Sequence, residues 1–404
     1  MTKDLFQRER IMSGNDVNKD RLLDSFLQLA KIDSESFYER DMADYLKGEL
    51  SSLGIRVHED SAGERLGEIC EKSLKKEGNP AGNLWAFMPG NMDSREENEK
   101  KALLFCAHMD TVSPGRGKKA RVQEGGRITS DGTTVLGADD LAGIAEILEV
   151  LHILEETDAV HPDIEILFTA AEEPYCQGSR LFDFGNFHSK TACILDMSGE
   201  VGTVALAAPC IYSLYIWIHG KSAHAGFCPE EGVHAIHIAA KAVSILPYGR
   251  VEEDTTLNLG MIEGGSGKNI VPGEVYLTGE IRSMDSKKAE YWAGRVRETF
   301  EKCAEEAGGR VDFLAEKEFD AYRVKKDSYT PRMLKKAAGR LGVKMRFVET
   351  FGGSDNNHFH SNGIEGVVLA NAMEEVHTVR EYTDLSQMAV CVELLLELIR
   401  AVTE

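Results

Sequence analysis

The stretch ALLFCAHMD, residues 102–110, is an apolar run that ends in an imidazole and a carboxylate. Its first six residues predict a buried strand. His108 and Asp110 follow at the carboxyl end, and residues two apart along a strand point to the same face. In open α/β sheets, ligands bind beyond the carboxyl ends of the strands. The stretch therefore predicts a buried sheet with a functional site at this edge.

Helical and strand-like segments alternate on both sides of this run. Apolar strands are predicted at 83–90, 163–173 and 191–199, and the apolar helix 141–156 separates two of the predicted strands. Such alternation is typical of a mostly parallel sheet that is covered by helices. The polar, mixed-charge segment 60–80 is predicted to be an excursion on the surface.

The order of the predicted elements changes near residue 210. Residues 210–320 contain a strand, a helix, two strands, a helix and a strand, which predicts a small antiparallel α+β domain. Beyond it the first pattern returns. We therefore predict an α/β domain that is split into residues 1–209 and 321–404, with the smaller α+β domain inserted at 210–320.

Composition and charge exclude several classes of function. The apolar fraction of 42% and the charged fraction of 28% are ordinary for a globular protein. A net charge of -21 repels nucleic acids and anionic membranes. No apolar run is long enough to span a membrane, the first 20 residues lack the apolar core of a secretory signal, and the eight cysteines are scattered without a CxxC pair. We expect a cytoplasmic protein with no nucleic-acid partner and no membrane association.

Five segments carry side chains that can bind metal ions where a predicted strand ends or a helix begins. Each has an ordinary explanation on its own, since an aspartate before a helix usually caps it and paired glutamates usually lie on a solvated face. Together, so many carboxylates at one sheet edge are too costly to bury without cations. Imidazole and carboxylate ligands without cysteine suit catalytic zinc and related divalent ions. The side chains are His108, Asp139, the pair Glu172 and Glu173, Asp196, and His377.

An ordered series of short motifs runs along the chain. They are HMDTVSPG (108–115), GADDLAG (137–143), AAEEPYCQGS (170–179), ILDMSG (194–199), GKSAHAG (220–226), NIVPGE (269–274), GEIRSMD (279–285) and FGGSDNN (351–357), followed by His377. In this order they resemble the motifs of the M20 metallopeptidases, especially the tripeptidase T branch, over nearly the whole chain. The resemblance implies a zinc-peptidase-like catalytic domain with an inserted lid and dimerisation domain.

The resemblance also implies a pair of divalent metal ions. They would be zinc, with cobalt or manganese as alternatives. His108 and Asp196 would hold one ion, and Glu173 and His377 would hold the other. Asp139 would bridge the two ions, which must lie roughly 3.5–4 Å apart to share one carboxylate.

By the same resemblance, Glu172 would be the general base rather than a ligand. It would take a proton from the attacking water and return it to the leaving amine, while the metals would lower the pKa of that water toward about 7. Asp110 would accept a hydrogen bond from the ring of His108 and so fix its tautomer. Asp140 would cap the helix that follows.

In the inserted domain the resemblance implies residues that contact the substrate. His224 matches a lid histidine that reaches the active site of a neighbouring subunit and stabilises the oxyanion there, which implies a homodimer. Arg282 and Asn269 match positions that hold the terminal carboxylate of the substrate, and arginine can bind a carboxylate with two parallel hydrogen bonds. Gly353 and its neighbours would offer backbone amides to the substrate.

These observations favour a dinuclear aminopeptidase that hydrolyses short peptides, with tripeptides as the expected substrates. One alternative is an amidohydrolase of N-acyl amino acids, or a carboxypeptidase, on the same scaffold. Another is an inactive protein that binds metal or peptide. The segment PYCQGS (174–179) departs from the family pattern, which weakens the transfer of strict tripeptide specificity. A blocked amino terminus separates the two enzyme readings, because only an aminopeptidase should reject it.

Overall fold

In the computed structural model, residues 17–75 and 77–404 are described. The expected absence of a secretory signal concerns the first 20 residues, of which 1–16 lie outside the described part. The chain divides into two compact units. Unit 1 is the chain up to Leu206 together with Val324–Glu349 and Ser354–Glu404, and unit 2 is Ala207–Arg323 together with Thr350–Gly353. We propose that they correspond to the split domain and the inserted domain predicted above.

The strands formed by the described residues are β1 (Arg56–Glu59), β2 (Leu84–Met88), β3 (Leu103–His108), β4 (Arg121–Val122), β5 (Arg127–Thr129), β6 (Ile164–Thr169), β7 (Thr191–Met197), β8 (Thr203–Ala208), β9 (Cys210–His219), β10 (Ala223–His224), β11 (Gly249–Glu252), β12 (Thr255–Gly264), β13 (Ile270–Val271), β14 (Glu274–Ser283), β15 (Arg310–Phe319), β16 (Tyr322–Arg323), β17 (Arg346–Glu349), β18 (Glu365–Ala370) and β19 (Tyr382–Asp384).

The α-helices of the same residues are α1 (Lys19–Leu29), α2 (Arg40–Ser52), α3 (Ala62–Leu74), α4 (Arg95–Lys100), α5 (Ala138–Thr157), α6 (Gln177–Leu181), α7 (Ala235–Ile245), α8 (Ser286–Ala307), α9 (Tyr329–Leu341), α10 (Asn356–Ser361) and α11 (Leu385–Thr403).

The main sheet of unit 1 has the strand order β1-β2-β6-β3-β7-β18-β8, with β17 paired to β8. The four central strands, β6, β3, β7 and β18, pair in parallel. Strands β1 and β2 on one side and β8 on the other add to this centre in antiparallel fashion. The expected α/β class is confirmed, and the sheet is a mixed one with a parallel centre.

Burial explains why the stretch 102–110 forms the middle of this sheet. Every residue of β3 and of β6 is buried, as expected for parallel strands that are covered on both faces. Helix α5 packs against β3 and is buried on nearly all sides, between the sheet and helices α1 and α11. The carboxyl ends of β3, β6 and β7 consequently lie at one edge of the sheet.

Unit 2 is built on a five-stranded antiparallel sheet in the order β11-β12-β14-β9-β15. Helices α7 and α8 pack against the sheet and share one apolar core with it. The short strands β10 and β13 form a separate two-stranded pair. The expected α+β fold of the insertion is confirmed.

The segment 60–80 is the main difference from the expected elements. It contains helix α3, which was not among the predicted elements. The residues of α3 that face the core are Ala62, Leu66 and Cys70, which are spaced four apart and all buried. Because this apolar stripe is narrow and the other faces are charged, the mean composition of the segment conceals the helix.

None of the eight cysteines, all of which lie in the described part of the chain, takes part in a disulfide. Among the described residues, no helix combines the length and the apolar character that crossing a membrane requires.

Candidate active site

The predicted metal-binding side chains of unit 1 converge at the carboxyl edge of its parallel strands. Strands β3, β6, β7 and β18 lead into this edge, and helix α5 begins there. The converging residues are His108 at the end of β3, Asp139 at the start of α5, Glu172 and Glu173 after β6, Asp196 near the end of β7, and His377 in the loop after β18.

Asp139 lies between two imidazoles. Its Oδ1 is 3.0 Å from Nε2 of His108, and its Oδ2 is 3.1 Å from Nε2 of His377. The same nitrogen of His377 is 3.1 Å from Oε2 of Glu173, and Nε2 of His108 is 3.9 Å from Oδ1 of Asp196. The carboxylate of Asp139 thus links two groups. One consists of His108 and Asp196, and the other consists of His377 and Glu173.

The electrostatics of the cluster are those of crowded, buried acids. Burial raises the pKa of Glu172, Glu173 and Asp196 above the ordinary carboxyl value. Hydrogen bonds with Asp139 and Glu173 raise the pKa of His377 to about 11. The groups that act on these carboxyls as positive charges are the imidazoles of His108 and His377, and the neighbouring carboxylates raise the pKa of each acid further.

The residues present fit divalent cations. Oε1 of Glu173 is buried and has no hydrogen-bond partner among the described residues. Ligand atoms of His108, Asp139 and Glu173 lie within 4.8 Å of one another, and so do those of His108, Glu172 and Asp196. These sets contain nitrogen and oxygen donors without sulfur, a combination that suits zinc, cobalt or manganese.

Asp110 contacts both the backbone of the glutamate pair and the ring of His108. Nδ1 of His108 is 2.9 Å from the main-chain oxygen of Asp110 and 3.5 Å from its carboxylate, which is too long for a good hydrogen bond. The Asp110 carboxylate accepts the backbone N–H groups of Glu172 (2.9 Å) and Glu173 (3.2 Å) and the hydroxyl of Ser36 (2.7 Å). The carbonyl oxygen of Asp110 is therefore the closer acceptor for the ring of His108, and the carboxylate of the same residue lies beside that ring.

Asp140 does not cap helix α5, contrary to the prediction. It is buried, and it accepts hydrogen bonds from the backbone N–H of His108 (3.2 Å) and from Nδ2 of Asn371 (2.8 Å). Asp139 and Asp140 both have non-helical backbone angles, and Gly137 occupies the cap position. The Asp140 carboxylate accepts from these two donors, which lie outside the helix, and not from the first turn of α5.

Glu381 was not predicted from the sequence, and it positions Asp139 through hydrogen bonds to the backbone. Its carboxylate accepts the backbone N–H groups of Gly137 (2.7 Å) and Asp139 (2.9 Å), and burial raises its pKa to about 7. Asn371 was missed as well, although it directly follows strand β18 at the same edge of the sheet and the edge rule applied to His108 would have found it. Glu381 lies four residues after His377, and nothing in that spacing indicates its role.

In unit 2, the structure places His224 and Asn269 close together. The ring Nδ1 of His224 accepts the backbone N–H groups of Gly226 (3.1 Å) and Phe227 (3.2 Å). The neutral ring therefore carries its proton on Nε2, which is available as a donor. The main-chain oxygen of Asn269 accepts the N–H of Ala225, and the aromatic ring of Phe227, itself 86% exposed, lies 4.3 Å from that of His224.

Arg282 and Gly353 are also placed by contacts within unit 2. The guanidinium of Arg282 donates two parallel hydrogen bonds of 2.9 Å to the carboxylate of Glu280, and a third to the backbone oxygen of Phe351. A Cβ atom on Gly353 would lie 2.2 Å from the ring of Phe319. Arg282 thus already holds a carboxylate in bidentate geometry, and Gly353 is needed for close packing.

Two family models match the chain. The peptidase dimerisation domain of the M20 type matches residues 211–308, which lie within unit 2. The model of peptidase family M28 matches residues 90–206, which lie within unit 1 and include four of the predicted ligands and the predicted base.

Similar proteins cover almost the entire chain. The crystal structure of the aminopeptidase PepT from Bacillus cereus is 35% identical, with a TM-score of 0.83, and the match covers 96% of this chain and 100% of that one. A tripeptidase structure from Staphylococcus aureus is 33% identical, with a TM-score of 0.87, over 96% of this chain and 99% of that one. The protein YqjE of Bacillus subtilis (strain 168) is 36% identical over 383 residues, which are 95% of this chain and 98% of the relative.

Proposed function

Since this chain belongs to the M20 peptidases, in the branch of the peptidase T enzymes, we propose that it is a two-metal aminopeptidase that removes the first residue from short peptides, above all tripeptides. The observation that carries the proposal is the position of Asp139, with one carboxylate oxygen facing each of two imidazoles. This is the arrangement expected of a carboxylate shared by two cations. The tripeptidase from Staphylococcus aureus supports tripeptides as the substrate class.

We assign one cation to His108 and Asp196 and the other to Glu173 and His377, with Asp139 shared between them. When bound, the cations would polarise the scissile carbonyl and acidify a water molecule. The uncommitted Oε1 of Glu173 supplies a further ligand atom for this purpose.

Glu172 is assigned the proton transfer. Its burial raises the pKa of the carboxyl, so it is a stronger base than a solvated glutamate and can accept a proton from water and pass it to the leaving amine. Asp110 fixes the backbone of Glu172 and Glu173 together, so the base and a metal ligand keep a constant relation to each other.

The residues of unit 2 are assigned to the substrate. The Nε2–H of His224 is a suitable donor to the oxyanion of a tetrahedral intermediate, and we propose that it serves the active site of a partner subunit in a homodimer. Arg282 and Asn269 are assigned to the terminal carboxylate of the peptide, which must replace Glu280 to form two hydrogen bonds with Arg282.

A reducing, cytoplasmic location is proposed on the absence of disulfides among the described residues.

A hydrolysis assay read by mass spectrometry tests the function. Protein stripped with chelator and reloaded with zinc, cobalt or manganese is offered free tripeptides, the same tripeptides N-acetylated, dipeptides and N-acyl amino acids. Metal-dependent loss of the first residue from free tripeptides is the expected result. Cleavage of the N-acyl compounds alone would transfer the site to an amidohydrolase, and no cleavage by metal-loaded protein would contradict an enzymatic role.

The substitution Glu172→Gln tests the mechanism in the same assay. Removal of the base should lower kcat by at least about 10²-fold. The metal content of the variant should stay at the wild-type value, because Glu172 is not assigned as a ligand. Unchanged turnover in this variant would contradict the assignment of the base.

A further inference from the structure

We propose that Cys176 is a positioning residue that holds the general base through a thiol hydrogen bond. The inference rests on the proposed function, because it concerns the orientation of Glu172. Cys176 belongs to the segment PYCQGS (174–179), which departs from the family pattern. The departure thus has a defined place in the proposed mechanism.

The chain folds back on itself between the two residues. The backbone N–H of Cys176 donates to the carbonyl oxygen of Glu172, and Cys176 has a left-handed backbone with a φ of 54°. This turn brings the side chain of Cys176 back over that of Glu172. The sulfur lies 3.2 Å from Oε1 of Glu172, and Cys176 is only 1% exposed.

A second carboxylate, that of Asp355, lies beside the same thiol. Ligand atoms of Glu172, Cys176 and Asp355 are within 4.8 Å of one another. Asp355 is already supplied with donors, because the hydroxyls of Ser179 and Thr169 each lie 2.5 Å from one of its oxygens. The single thiol proton of Cys176 is therefore directed to Glu172.

The thiol remains protonated in these surroundings. Burial and the nearby carboxylates of Glu172 and Asp355 raise the pKa of Cys176 well above that of a free cysteine, so the side chain is a donor and not a thiolate. A held Oε1 restricts rotation of the Glu172 carboxylate and leaves its other oxygen for proton transfer. The thiol is a weak donor, so its effect is an orientation of the base and not a large stabilisation.

Substitutions at Cys176 separate this role from simple packing. Cys176→Ala should lower kcat about three- to tenfold, as expected for the loss of one weak hydrogen bond to the base, with KM and metal content unchanged. Cys176→Ser, which restores a donor, should recover most of the lost kcat. Cys176→Gly removes the donor but suits the left-handed backbone, so it should be as impaired in kcat as Cys176→Ala even if the alanine variant folds poorly.

The Glu172→Gln background provides the decisive comparison. If Cys176 acts through the base, Cys176→Ala should cause no further loss of kcat in a protein that already carries Glu172→Gln. Cys303→Ala is the matched control, since it removes a thiol that is equally buried in the core of unit 2, and it should leave kcat unchanged.

Three results would overturn the proposal while leaving the proposed function intact. They are wild-type kcat in Cys176→Ala, equal impairment of the serine and alanine variants, and losses that multiply in the double variant. Failure of the proposed function is seen separately, as absent peptide hydrolysis or full activity of Glu172→Gln.

Discussion

Asp110 shows how one side chain can control both the base and a ligand. Asp110→Asn keeps the shape but replaces one acceptor oxygen by an N–H donor, which would face the backbone N–H of Glu172 or Glu173. We expect about 10- to 100-fold weaker metal binding, measured by competition with a chromophoric chelator, together with a lower kcat.

The control for this prediction is Ser36→Ala, which removes only the hydroxyl that donates to Asp110. It should weaken metal binding much less. Equal metal affinity in Asp110→Asn and the wild-type protein would show that the two backbone hydrogen bonds do not hold the site.

At this scale, the sequence was sufficient to find the side chains but not their partner atoms. His108 and Asp196 could be found because strands end at a common edge, and this rule depends on sequence pattern alone. The partners of Asp110 and Asp140 depend on the turn of the main chain after β3 and on the non-helical start of α5. Glu381 could not be found, since it acts through the backbone of Gly137 and Asp139 from a distant segment.

At the scale of elements, helix α6 fits closely against the sheet. A Cβ atom on Gly178 would lie 2.0 Å from the carbonyl oxygen of Ala170 and 2.6 Å from Oδ1 of Asn83. Gly178→Ala must therefore displace α6 and the loop before it, and we expect a loss of about 1–3 kcal/mol in the free energy of unfolding, measured with urea. Turnover should fall too, because that loop carries Glu172.

The matched control is Gly48→Ala in helix α2, where no atom lies within 4 Å of the added Cβ. It should raise the free energy of unfolding by about 0.5–1 kcal/mol through improved helix propensity. If both variants had the same stability, close packing at Gly178 would not be limiting.

Glu59 joins strand β1 to helix α2 in a manner that depends on pH. Burial alone would raise its pKa, but hydrogen bonds from Arg40, Lys47 and the backbone of Gly82 outweigh burial and lower the pKa to about 2. A carboxyl whose pKa is lowered by folding stabilises the protein fully above its unfolded pKa near 4.5, and this contribution is lost as the pH falls toward 2.

The difference in Tm between the wild-type protein and Glu59→Gln should therefore be largest near neutral pH and should narrow below about pH 4.5. Thermal unfolding followed by circular dichroism across this range measures it. A difference that stays constant with pH would assign the effect of the substitution to something other than the charge of Glu59.

The elements themselves were largely predictable, and the exception is instructive. Strands β3, β7 and β15 lie within segments whose apolar patterns were clear from the sequence. Helix α3 was concealed because only Ala62, Leu66 and Cys70 face the core in a segment dominated by charge. The antiparallel flanks of the sheet were not predictable either, because strand direction at an edge depends on distant pairing and not on local sequence.

At the scale of the whole molecule, we proposed that His224 serves the active site of the partner subunit. Two inactive variants should therefore complement each other in a mixed dimer. Glu172→Gln and His224→Ala should each be poorly active alone. In a mixed dimer, one site would combine an intact Glu172 with an intact His224 from the partner. The two variants are mixed at high dilution, so that subunits exchange without denaturant. An equal mixture should regain about a quarter of wild-type activity, because half of the dimers are mixed and one of the two sites in each mixed dimer is complete.

The control for complementation is a mixture of Glu172→Gln with Asp110→Asn. Both substitutions affect the catalytic unit and not His224, so the mixed dimer has no complete site and should remain poorly active. Activity of the His224→Ala protein alone at the wild-type level, or no gain on mixing the first pair, would contradict action across subunits.

Leu206 and Val324, where the chain first leaves unit 1 and first returns to it, are hydrogen-bonded neighbours. The N–H of Val324 donates to the carbonyl oxygen of Leu206 at 2.6 Å, and beyond them Tyr322 pairs with Ala208. The segment between Leu206 and Val324 can therefore be described as the loop of a β-hairpin, enlarged to the size of a domain. A gene in which the codons of this segment were replaced by those of an Asn-Gly turn would still encode a continuous unit 1. The path of the chain through unit 1 therefore does not require the inserted segment.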